Sequence, residues 1–170
     1  MNRKFLLSGM ILLNLVMAPT FSMAADTTVI NIKANIVASS CAVETDTLNI
    51  DLGDIDVRGL SSGGATSPWS DIQNIKITDC PAGVSTVKAT FSGTPGNNSG
   101  SYKNMGTAKN VAVLLGDDKS EYNAMWNGSA LILSVASGGV SLPVRARLYS
   151  ESLATVGTVE ATVNVAFEYK

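Results

Sequence analysis

Apolar and polar residues alternate along most of this chain, and a period of two admits strands and little else. Ile30, Ile32, Ala34 and Ile36 alternate with Asn31, Lys33 and Asn35. The pattern returns at Leu48–Leu52, Ile75–Ile77, Val87–Phe91, Val111–Leu115, Leu131–Val135 and Leu142–Leu148. It is longest at the end, at Val159, Ala161, Val163, Val165, Phe167 and Tyr169. Residues two apart share one face of a strand, so each run carries one buried face and one wet face. No helical stripe competes. Between the runs lie turn clusters such as Gly59–Gly64, Gly93–Asn98, Gly116–Asp118, Asn127-Gly128 and Ser137–Gly139, rich in residues that accept positive φ. Seven or eight short strands separated by such turns predict an all-β sandwich of immunoglobulin type. Pro143 stands inside an apolar run and predicts an edge or a bulge there.

The first residues follow another logic. Arg3 and Lys4 precede an apolar stretch from Phe5 to Val16, and small residues lead to Ala24. That order of basic, apolar and small residues predicts a secretory signal peptide over 1–24, with cleavage after Ala25 as the near alternative. The stretch is too short for a good membrane span, and no other run approaches about 18 apolar residues, so the mature chain is not expected to be transmembrane. The mature chain divides into an arm, 25–40, and one domain, 41–170.

Composition excludes several chemistries. There is no histidine, which removes histidine triads, histidine metal sites and histidine acid–base pairs. After removal of the leader, ten basic residues face fourteen acidic ones, a net charge of about −4 with no basic cluster, which argues against nucleic acid as a partner. Two cysteines in an exported chain predict one disulfide, Cys41–Cys80, and no zinc site. Gly59-Leu60-Ser61-Ser62-Gly63 matches G-x-S-x-G, but a nucleophile elbow needs a strand-to-helix turn and a base. Asp51, Asp54 and Asp56 lack calcium-loop spacing and read as a solvated strand end. Asn97-Asn98-Ser99 and Asn127-Gly128-Ser129 read as turns. Trp69 and Trp126 suit sugar stacking or, more ordinarily, packing. No catalytic residue, metal site or cofactor is predicted.

Two segments sit oddly in a closed sandwich. The arm offers Thr28, Ile30, Ile32, Ala34 and Ile36 on one face, and an exposed strand of this kind invites edge-to-edge pairing. The last run stays apolar almost to the C-terminus, where chains usually fray. Taken together, the leader, the apolar arm, Cys41, Cys80 followed by Pro81, Gly157 fourteenth from the end and Tyr169 next to last resemble the subunits of type 1 fimbriae. Ser62-Gly63-Gly64-Ala65 through Trp69-Ser70-Asp71, Asp79–Gly83, Phe91-Ser92-Gly93 and Tyr102–Ala108 are most similar to minor tip and adaptor subunits.

The resemblance implies an incomplete, six-stranded immunoglobulin-like pilin sandwich whose missing strand leaves an apolar groove. A periplasmic chaperone would fill the groove first, and the arm of the next subunit would replace it at an outer-membrane usher. Thr28, Ile30, Ile32, Ala34 and Ile36 would be the donor face. Gly157, Val159, Ala161, Val163, Val165, Phe167 and Tyr169 would form the acceptor and chaperone-contacting strand. Such relatives often carry glycine where Ala34 stands. The implied role is structural, not enzymatic: a minor or adaptor subunit of a surface heteropolymer, with adhesion and biofilm formation following from the fibre. A major rod subunit and a one-domain glycan-binding adhesin are the alternatives.

Overall fold

The structure, a computed structural model, describes residues 30–35, 40–119 and 125–170. The leader, Thr28 and Ile36 lie outside them. Eight strands follow in chain order among the described residues: β1 (Ala42–Val43), β2 (Gln73–Thr78), β3 (Thr86–Gly93), β4 (Tyr102–Lys103), β5 (Val111–Gly116), β6 (Ala130–Ser134), β7 (Val140–Ser150) and β8 (Val163–Tyr169). They form two antiparallel sheets, one ordered β1-β2-β7-β5-β4 and the other β6-β3-β8. The expected all-β sandwich is what forms. No described helix is long and apolar enough to cross a membrane.

The period-two runs fill the space between the sheets. Ala89 and Phe91 from β3 meet Ile75, Val113, Leu142, Val144 and Leu148 from the facing sheet, all buried. A smaller cluster of Cys41, Ile77, Val84 and Val87 lies around the Cys41–Cys80 disulfide. The disulfide ties the residue before β1 to the turn after β2 across 39 positions. A loop of that size contributes roughly 4 kcal/mol on the chain-entropy account.

Pro143 behaves as its sequence context predicts. It pairs with Asn74 of β2, whereas the ladder to β5 begins only at Arg145, so the strand is locally an edge at the proline. Beyond Pro143, residues 64–70 run along the other side of β7. Ser67 and Ser70 donate main-chain bonds to Leu148 and Ala146 (3.1 and 2.8 Å), and their hydroxyls accept the return bonds at 2.9 and 3.0 Å. Serine hydroxyls thus replace carbonyls, and the segment shows no alternation in sequence. Trp69 lies there against Arg145 and Arg147, 4.7 and 4.2 Å from its ring centre. Only glycine fits beneath it, because a Cβ on Gly116 would come within 2.9 Å of the ring. Trp69 therefore packs on the outside of β5 and β7, while Trp126 is exposed.

Leu48–Leu52 departs from its predicted strand. Leu48, Ile50 and Leu52 keep their alternating half-burial against the core, but no ladder forms. Asp51 accepts from the Gly53 amide, at φ +61°, in a tight turn, and Asp56 caps the turn Val57–Leu60 by accepting from the Arg58 amide. The Arg58 guanidinium beside it holds the Asp56 carboxyl below its usual range. These aspartates are turn formers.

Tyr102 is fully buried, and its hydroxyl has no hydrogen-bond partner among the described residues. Burial pushes its pKa up to about 12. The folded state thus holds the phenol neutral where the unfolded chain begins to ionise, near pH 10. Stability from this group is intact below pH 10 and is lost as pH rises towards 12, by an amount on the order of 2–3 kcal/mol. Tyr102→Phe is expected to match the wild type at pH 7 and to melt higher than it above pH 10. Thermal unfolding followed from pH 7 to 11 checks this.

Candidate assembly site

The free side of β8 is defined by its hydrogen bonding. Thr86 and Lys170 exchange both main-chain bonds, at 2.8 and 2.9 Å. In an antiparallel ladder such pairs alternate with pairs that exchange none. The register then gives Glu168, Ala166 and Asn164 to β3, opposite Lys88, Thr90 and Ser92. The N–H and C=O groups of Tyr169, Phe167, Val165 and Val163 turn the other way. Among the described residues no strand pairs with that edge. The same four residues carry the half-buried side chains. Apolar side chains and unused main-chain groups therefore converge on one side of one strand.

That side opens on a cleft of about 1350 Å³. One wall is the run leading into and along β8: Gly157, Val159, Ala161, Val163, Val165 and Phe167. The facing wall is the unpaired segment with Leu48, Ile50, Leu52 and Ile55, and the floor is Ile75, Phe91, Val113, Leu115 and Val144. A sealed apolar void of this size would cost roughly 30 kcal/mol at about 24 cal/mol per Å³. That exceeds the roughly 5–15 kcal/mol by which whole domains are stable. The cleft must stay open to water or hold a guest. Its length and its strand-like walls suit an extended peptide.

Of the residues expected to form the acceptor, Tyr169 is the exception to the lining. Its side chain packs with Ile77, Val84 and Val87 near the disulfide, beyond the end of the cleft. Of the expected donor residues, Ile30 and Ile32 are 80% and 88% exposed, and Ala34 is exposed too, in chain without secondary structure. Thr28 and Ile36 lie outside the described residues. The facing wall was not anticipated as a site. Its signal was present in the alternation of Leu48, Ile50 and Leu52, which reads equally as an ordinary strand.

The fimbrial protein family profile matches residues 30–170. The chain is 36% identical over 158 residues to Protein FimG of Escherichia coli K12, covering 91% of this chain and 92% of that protein. It is 30% identical to the S-fimbrial protein subunit SfaG of a uropathogenic Escherichia coli strain, covering 89% and 88%. In fold it resembles the P pilus rod subunit PapA, with a TM-score of 0.64 at 20% identity, over 78% of this chain and all of that one. A chaperone–usher pilus structure gives 0.65 at 19% identity, over 90% of this chain and all of that one. The sequence matches over nearly the whole length establish that this chain belongs to the fimbrial protein family and is a structural subunit of a chaperone–usher fimbria.

Proposed function

We propose that the chain polymerises by strand exchange: its cleft takes the arm of one neighbour, and its own arm enters the cleft of the other. The observation that carries this reading is the coincidence on β8 of inward apolar side chains and outward unused main-chain groups at Val163, Val165 and Phe167. An inserted strand would meet both needs at once. Strand addition to an open sheet edge is a general mode of recognition for which pilins are themselves a known example. Thr28, Ile30, Ile32, Ala34 and Ile36 are the donor face. Four or five such side chains, once buried, contribute on the order of 5–10 kcal/mol besides the ladder. That is as much as a typical domain's whole stability, so a subunit with an empty cleft is marginal and needs a partner from the start. A periplasmic chaperone strand would supply it before an outer-membrane usher mediates the exchange. Residues 1–24 are the export signal and 25–40 the arm.

Within the fibre we place the chain as a minor or adaptor subunit. The similarity of Ser62–Asp71 and Tyr102–Ala108 to such subunits supports this. Quantifying subunits in sheared fimbriae tests it: a minor subunit is far outnumbered, whereas a rod subunit dominates.

Exchange itself is tested with the mature chain purified in complex with its chaperone. A synthetic arm peptide spanning residues 28–36 of a fimbrial subunit is expected to displace the chaperone and raise the melting temperature. A closed sandwich predicts the reverse: a stable chaperone-free monomer, indifferent to peptide. That result would end the proposal.

A further inference from the structure

We infer that Asn104 is a positioning residue for strand insertion, holding Gly157–Ala161 as an extension of the open edge of β8; the inference rests on the strand-exchange reading above. The ladder between β3 and β8 ends at the pair Gly93–Val163. The cleft wall continues back to Gly157, beyond the reach of β3. The loop Asn104–Ala108 holds this overhang instead.

The Asn104 side chain makes four bonds. Its Oδ1 accepts from the amides of Gly106 and Glu160, both at 2.8 Å. Its Nδ2 donates to the carbonyls of Ala108 and Thr158, at 2.8 and 3.3 Å. The loop backbone adds Met105 N–H to Glu160 C=O at 2.8 Å and Ala108 N–H to Thr158 C=O at 3.0 Å. Thr107 and Thr158 close the clasp reciprocally: each hydroxyl accepts the other's amide, at 2.8 and 3.0 Å. Only an amide side chain accepts and donates in this way. Contact is close enough to demand glycine, since a Cβ on Gly106 would come within 2.2 Å of the Thr158 carbonyl oxygen, and one on Gly157 within 2.5 Å of the Ala108 nitrogen.

The parity of these bonds matters most. The clasp takes the main chain of Thr158 and Glu160, the even positions, just as β3 takes Asn164, Ala166 and Glu168. In extended chain the alternate positions then face the opposite way. Val159 and Ala161 therefore present their main chain and their half-buried side chains to the cleft in phase with Val163, Val165 and Phe167. Asn104 does the work of a short strand, lengthening the edge that a donor can pair with.

The test uses the mature chain in its chaperone complex and three peptides from the arm of the neighbouring subunit that fills its cleft: the segment corresponding to residues 28–36 here, and the same peptide shortened by two residues at one end or the other. In the wild type, shortening the end that lies against Val159 and Ala161 is expected to slow insertion about tenfold, the worth of one or two main-chain hydrogen bonds. In Asn104→Ala the whole peptide is expected to slow to the rate of that shortened peptide, whose own rate does not change. Asn104→Asp keeps the accepting half of the clasp and should fall between; it serves also if the alanine variant is lost during export. Hydrogen exchange should quicken at Met105, Ala108 and Glu160 and stay unchanged along β3. Equal slowing of all peptides, or of none, overturns the positioning role. A wild type that takes up no peptide overturns strand exchange itself, and the inference with it.

Discussion

Ile32→Asp is expected to leave the unfolding of its own domain unchanged and to abolish incorporation of the subunit into the fibre. Ile32 is 88% exposed in the isolated chain, and substitutions at such positions shift stability by no more than about 0.5 kcal/mol. The docked state is another matter. The isoleucine would forfeit about 1.5–3 kcal/mol of burial. The carboxylate would enter the apolar groove of a neighbouring subunit, and burying an unpaired charge there costs at least several kcal/mol more. Even a combined loss of about 4 kcal/mol weakens docking roughly a thousandfold. Immunoblots of sheared fimbriae, beside melting curves of the chaperone-bound subunit, separate the two effects. Normal incorporation of the variant would place the donor contacts elsewhere in the chain.

The sandwich was legible because nearly every buried strand alternates. Ala89 and Phe91, or Leu142, Val144, Ala146 and Leu148, face one core and state as much in their spacing. What escaped has physical causes. Residues 64–70 pair with β7 through the hydroxyls of Ser67 and Ser70, and a hydroxyl standing in for a carbonyl leaves no periodic trace. Leu48, Ile50 and Leu52 have the period of a strand without its ladder, because period reports which face is buried and says nothing of what lies at the edge. Both segments proposed to take part in assembly show as apolar alternation, at Ile30–Ile36 and Val159–Tyr169. That the second run has one side paired and one side open is a matter of register. Register appears only once Thr86 is set opposite Lys170. The Asn104 clasp was invisible for the same reason, since the bonds that reach Thr158 and Glu160 join residues more than fifty positions apart.

Register also yields a contrast that composition cannot. Proline at Val165 and proline at Ala166 are expected to have opposite effects, although the positions are adjacent. The Val165 amide points away from β3, so Val165→Pro removes no bond from the domain's own ladder and keeps most of the apolar bulk. Proline is tolerated where the N–H of an edge strand faces outward. The domain should lose no more than about 1 kcal/mol. An inserted strand, however, would lose a ladder bond and meet an unanswered carbonyl, and should dock at least tenfold more weakly, at about 1–3 kcal/mol for a group left unsatisfied. Ala166→Pro does the reverse. Its amide serves Thr90 of β3, so the variant breaks the domain's own sheet and should unfold more readily by about 2–3 kcal/mol, before any question of docking arises. Melting curves of the chaperone complexes and peptide uptake by each variant distinguish the two. If both prolines damage the domain equally, β8 is paired on both sides and has no open edge. If neither weakens docking, the incoming segment gains its affinity from side chains alone, and the unused main-chain groups of Val163, Val165 and Phe167 lie idle.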